Sequence, residues 1–99
     1  MSAVAPSYFQ EINFEHAIIS ASAFTPESGF ACDSMMEAEQ LKLLRSKAKY
    51  TYMMLDSSKI GKVMPYTFAS IEDISVLITD TSFPESLKEL FKEHNIVVM

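Results

Sequence analysis

At 99 residues the chain has room for one small domain and not for two. Its 48% hydrophobic and 21% charged residues make an ordinary globular balance with an apolar lean, and no apolar run approaches the ~20 residues of a membrane span. With a net charge of -5 and eight Lys and Arg residues not gathered into one stripe, the chain by itself lacks the electrostatic footprint of a nucleic-acid binder.

The opening Met1-Ser2-Ala3-Val4-Ala5-Pro6 has neither the basic region nor the long apolar core of a signal peptide. A single cysteine, Cys32, excludes an internal disulfide and fits a reducing cytoplasm. Pro6 opens a short helix expected over residues 6–12, since proline is at home in a first turn. Residues 15–23 read as the first strand, apolar at its centre and closed by small residues, with His16 at its entrance as a capping or surface residue. Residues 24–32 read as a loop marked by Pro26 and Gly29. Ser34 and Glu37 then stand at capping-box spacing and start a helix over residues 35–47, whose Ala38, Leu41, Leu44 and Ala48 form one inward stripe. Cations at its end, between Lys42 and Lys49, complement the helix dipole.

Residues 50–55 are an apolar run without period, as expected of a strand buried on both faces of a sheet. The run stops at Asp56-Ser57-Ser58-Lys59-Ile60-Gly61. In open parallel sheets ligands bind outside the carboxyl ends of the strands, and this tip offers an acceptor, two hydroxyls and a mobile cation. The plainer alternative is an Asx or Ser turn that Lys59 merely solvates. Pro65 demotes residues 63–69 to a short edge strand or extended segment. Residues 70–74 read as a turn, and residues 75–80 as a second buried strand that also ends in aspartate. Ser82 and Glu85, again at capping-box spacing with Pro84 in the first turn, open a last helix with Leu87, Leu90 and Phe91 inward, stopping at His94-Asn95. Residues 96–99 read as a final buried strand. Alternating strands and helices argue an α/β layered, Rossmann-like fold with a largely parallel sheet flanked by helices.

Cys32, His16 and His94 make neither a nucleophile–base pair nor a metal pattern, so neither catalytic residues nor metal ligands are assigned and no cofactor is expected. The seven methionines are read as core gap-fillers.

The block Asp56-Ser57-Ser58-Lys59-Ile60-Gly61, followed by Leu77-Ile78-Thr79-Asp80, resembles the C-terminal effector-sensing domain of DeoR-family transcriptional regulators. Ser20-Ala21-Ser22-Ala23-Phe24, Glu27-Ser28-Gly29-Phe30 and Glu37-Ala38-Glu39 fall in the order of that domain's earlier motifs. The resemblance covers nearly the whole chain. It implies a fold similar to ribose-5-phosphate isomerase and a repressor responding to a phosphorylated sugar. It also implies that residues 1–99 are a single, N-terminally truncated sensing domain, with the DNA-binding winged helix and the phosphate-holding loop outside it. Asp56 and Ser58 would fix hydroxyls and Lys59 would pair with a phosphate or sugar oxygen. Ser22, Phe24 and Gly29 would line the wall. A truncated sheet would leave an uncovered edge and apolar surface, so a homo-oligomer is expected.

Departures bear on selectivity. Ser20-Ala21-Ser22-Ala23 stands where the family has glycines, Ala31 and Cys32 replace two threonines, and Leu41 occupies the place of a lysine. The rival reading is a sugar-phosphate isomerase or deaminase fragment, which needs a carboxylate base over the substrate carbon. Glu27 is the only carboxylate in the loop that would supply it, so the chain is read as no enzyme.

Overall fold

The computed structural model describes residues 13–99, and the helix expected over residues 6–12 lies outside them. In chain order the elements are β1 (Phe14–Ser20), β2 (Ala23–Thr25), β3 (Gly29–Cys32), α1 (Met35–Lys47) and β4 (Ala48–Met54). There follow β5 (Tyr66–Ala69), β6 (Val76–Ile78), α2 (Glu85–Glu93) and β7 (Val97–Val98). A parallel four-stranded sheet runs β1-β4-β6-β7, and a smaller antiparallel sheet runs β2-β3-β5. This is the Rossmann-like α/β architecture expected, with the second sheet as an addition.

That second sheet corrects two expectations. The first strand ends at Ser20, and the chain turns at Ala21 and Ser22 to start β2, instead of running on to Ala23. Residues 24–32 are not a loop: β2 and β3 form a hairpin around Pro26, Glu27 and Ser28. Phe24, Phe30 and Cys32 are fully buried in it. Gly29, at φ 78, is required twice over: a Cβ there would also stand 2.5 Å from the Ala69 carbonyl oxygen. Burial pushes the Cys32 thiol pKa up, and its Sγ donates to the Ser34 carbonyl at 3.4 Å. Residues 66–69 form the edge strand β5 after Pro65, as expected.

α1 begins where the sequence places it, because Ser34 Oγ accepts from the Glu37 amide at 3.3 Å. Ala38 and Leu41 are buried and Leu44 packs against the core. α2 departs from expectation. Its N-cap is Pro84, with no side-chain cap bond, while the Ser82 amide donates to Asp80 Oδ1 instead. It ends at His94, followed by Asn95 in the left-handed region at φ 63.

The core fills one side of the parallel sheet. Ile19, Met53 and Leu77 point into it with Leu41 of α1 and Phe91 of α2. Phe91 meets Phe24 at 5.5 Å between ring centroids and Phe83 at 6.1 Å, and Phe24 meets Phe30 at 4.6 Å. Such aromatic pairs contribute about 0.5–1.5 kcal/mol each beyond their buried area. On the other side, Ile18, Met54 and Val97 are exposed among the described residues. The strand over residues 50–55 is therefore not buried on both faces: Thr51 and Met53 are buried, but Tyr50 and Met54 are exposed. Residues 96–99 differ likewise, with Ile96 buried and Val97 exposed. The apolar run reads as buried on both faces because nothing in its composition tells the one face from the other.

Candidate functional site

β1, β4 and β6 lie side by side in parallel, so their carboxyl ends meet at one rim. Ser20 is level with Met54, and Met54 with Ile78. Beyond this rim lies a crevice of about 500 Å³, walled by Ser20 to Ser22, Met54 to Asp56 with Lys59, and Ile78 to Asp80. The position is the one a parallel sheet offers to ligands.

After β4 the chain turns sharply. Asp56 Oδ1 accepts from the Ser58 amide at 2.9 Å and from the Ser58 hydroxyl, fixing a 3₁₀ turn over Ser57–Lys59. The Lys59 ammonium lies 3.7 Å from Asp56 Oδ2 and donates to Ser58 Oγ at 3.5 Å. The bond from the Ser58 hydroxyl, together with its amide and the Lys59 charge, holds the Asp56 carboxyl below the usual aspartate range. Asp56 is therefore an ionised acceptor at neutral pH.

Asp80 joins the site through the fold, from the tip of β6. Its Oδ2 accepts from the Ser57 amide at 3.2 Å and the Ser57 hydroxyl at 3.1 Å, tying the β6 tip to the β4 turn. Both strands visibly end in aspartate, and that repetition is the available signal. Thr79 Oγ1, at the same rim, is buried without a hydrogen-bond partner among the described residues. The lining side chains thus carry two carboxylates, one ammonium and free hydroxyl capacity. This set suits a polyhydroxylated ligand that also offers negative charge to Lys59.

The expected site residues separate into two groups. Asp56, Lys59 and Ser22 line the crevice, and Ser58 stands behind them holding Asp56. Phe24 and Gly29 do not line it. Phe24 is a core side chain against Phe30 and Phe91, and Gly29 is buried under the Ala69 carbonyl. Residues 24 and 29 belong to the hairpin and not to a loop over the rim. Leu41, in the place of a lysine, is buried, and Lys42 faces outward to Glu39 at 3.5 Å. Glu27 is exposed in the hairpin turn and is not among the crevice residues. His16 stacks on Tyr50 at 5.5 Å, far along β1 from the rim.

Among the described residues no helix is long and apolar enough to cross a membrane. Residues 1–81 match the model of a family described as the DeoR C-terminal sensor domain. The chain is 28% identical over 95 residues to the HTH-type transcriptional regulator GlpR of Haloferax volcanii, covering 96% of this chain and 37% of that protein. It is 28% identical over 91 residues to the HTH-type transcriptional regulator IolR of Bacillus subtilis, covering 92% and 36%. With the HTH-type transcriptional regulator GolR of Listeria innocua it shares 27% identity over 89 residues, covering 90% and 35%. The chain therefore spans little more than a third of each relative's length. These relatives are named as regulators, not as isomerases or deaminases.

Proposed function

Because the chain belongs to the DeoR C-terminal sensor-domain family, we propose that it is the ligand-sensing part of a transcriptional repressor that responds to a phosphorylated sugar. The observation that carries this reading is the Asp56–Lys59 corner at the carboxyl end of β4, inside the crevice. Asp56 and Asp80 accept from sugar hydroxyls, and Ser22 contributes its hydroxyl from the opposite wall. Lys59, the one cation among the lining residues, turns from Asp56 toward the ligand's negative charge. Two carboxylates beside a single ammonium leave the rim short of positive charge for a dianion. The bulk of the phosphate is then held by a segment outside these 99 residues, and the chain alone binds weakly. The reading includes operator contact through a separate winged helix, a cytoplasmic location and a homo-oligomer.

The test is a titration of the isotope-labelled chain, followed by NMR, with a panel of aldose and ketose phosphates and with inorganic phosphate. Shifts should gather at Ser57–Lys59 and at residues 79–80 for one sugar phosphate and not for phosphate alone. Lys59→Ala should weaken that binding by roughly ten- to a hundredfold, since a charge-assisted hydrogen bond contributes ~1.5–3 kcal/mol. Equal affinity in two equally folded proteins would reduce Lys59 to a solvated turn residue and overturn the assignment.

A further inference from the structure

The rim holds a second crevice beside the first. Its volume is about 620 Å³, and it lies between Thr79 to Thr81, the end of β7, and Glu85, Lys88 and Lys92 of α2. Thr79 and Asp80 line both crevices, so the β6 tip is the wall between them. Two backbone bonds build this space. The Met99 amide donates to the Leu77 carbonyl at 2.8 Å, and the Thr79 amide donates to the Met99 carbonyl at 3.2 Å, carrying the β6–β7 ladder beyond the strands. Leu87, Leu90 and Phe91 meanwhile seat α2 against the core. Lys88 and Lys92, four residues apart, then share the face of α2 that borders this inward stripe.

Of the eight Lys and Arg residues, Lys59 lines the first crevice and Lys88 and Lys92 line the second. Two carboxylates stand beside the lysine pair, and neither neutralises it. Asp80 is turned to backbone and to Ser57: Oδ1 accepts from the Ser82 amide at 3.1 Å, and Oδ2 from the Ser57 amide and hydroxyl. Glu85 lies 3.5 Å from Lys88, but its side chain is 81% exposed, so solvent screens the pair. The Lys88 side chain is only 20% exposed, lying along the crevice wall instead of reaching into water. Lys92 has no ion-pair partner among the described residues. On the shared wall, the buried Thr79 hydroxyl has an unmet donor, which a ligand atom would satisfy.

We propose that the second crevice is an anion subsite, in which Lys88 and Lys92 hold an oxyanion group and Thr79 Oγ1 donates to a ligand that crosses between the crevices. Two sources supply that chemistry: a further acidic group of the ligand seated at the Asp56–Lys59 corner, or a free phosphate. Strand spacing of ~4.8 Å puts the β4 and β7 tips ~10 Å apart across β6, a span that an extended phosphorylated sugar chain covers. The subsite stands on the geometry of α2 and the β6 tip; only its assignment to the sensed ligand rests on the sensor reading.

An NMR titration of the isotope-labelled 99-residue chain with inorganic phosphate decides the subsite. Saturable shifts are expected at Thr81, Lys88 and Lys92, and not at Lys42, a lysine paired three residues from a glutamate in the same way as Lys88. Lys88→Gln and Lys92→Gln should each weaken phosphate binding at least about threefold, and Lys42→Gln should leave it unchanged. Glu85→Gln, which removes the competing carboxylate, should strengthen it. Misfolding does not produce that gain, and thermal melting checks the two losses. No saturable shift at Lys88 and Lys92, or equal shifts at Lys42, overturns the proposal. So does an affinity that both lysine variants keep. Adding the sugar phosphates to the phosphate-loaded chain identifies the source. A compound that shifts residues 57–59 and displaces phosphate from Lys88 and Lys92 assigns the subsite to the sensed ligand; binding of both together assigns it to a free anion. Should no sugar phosphate act on residues 57–59, the sensor reading fails while the phosphate result at Lys88 and Lys92 still decides the subsite.

Discussion

Asp56 is a carboxylate whose proton affinity is set by its own turn. The Ser58 hydroxyl and amide and the Lys59 ammonium all favour the charged form, so the group titrates below an ordinary aspartate. The sign follows directly. A folded-state pKa below the unfolded value adds stability that is fully present above the unfolded pKa and is lost as pH falls through the depressed value. Ser58→Ala should move the Asp56 titration upward, followed by its carboxyl carbon shift in NMR, and the 3₁₀ turn should then loosen at a higher pH than in wild type. An unchanged titration would mean that Lys59, not Ser58, dominates. At this scale the sequence was highly legible, because Asp56, Ser58 and Lys59 are neighbours in the chain and their chemistry is local. Asp80 was less so. Its bond to Ser57 exists only because β6 lies next to β4, and the residues do not state strand order.

The two capping-box patterns show what an element's sequence does and does not fix. Ser34 and Ser82 both precede a glutamate by three residues, yet only Ser34 caps a helix. Pro84 supplies the difference: it imposes extended backbone at the residue before it and begins α2 itself, leaving Ser82 to close a turn on Asp80. Ser34→Ala should therefore cost about 0.5–2 kcal/mol of stability, whereas Ser82→Ala, whose hydroxyl caps nothing, should change little. Urea denaturation of both variants checks this, and equal losses would contradict it. Pro26 and Gly29 by themselves signal a loop where β2 and β3 form a hairpin. Two short apolar stretches flanking Pro26-Glu27-Ser28-Gly29 are in fact a hairpin pattern. Alternation, the usual strand signal, was missing because every residue of β3 is buried.

For the whole molecule, charge decides what the chain does not do by itself. A net charge of -5 with dispersed cations cannot release enough phosphate counterions for tight DNA binding. These 99 residues should show no salt-sensitive, sequence-specific retention of a genomic fragment pool in a gel shift, and specific retention would contradict the reading. The layered α/β class was legible from the alternation of elements; the exposure of Tyr50 and Met54 was not, since a strand's residues do not record how many layers surround it. The parallel pairing of β1 with β4 has a consequence for the nascent chain. The sheet neighbour of β1 comes only after β2, β3 and α1 have been synthesised. Hairpin and helix contacts are local and close quickly, while the parallel pair must wait for a long loop to close. On the ribosome, the edge of β1 that pairs with β4 therefore stays unpaired until β4 emerges. That interval is when this chain is most exposed to wrong partners, and it makes β1 the natural place for a chaperone to bind.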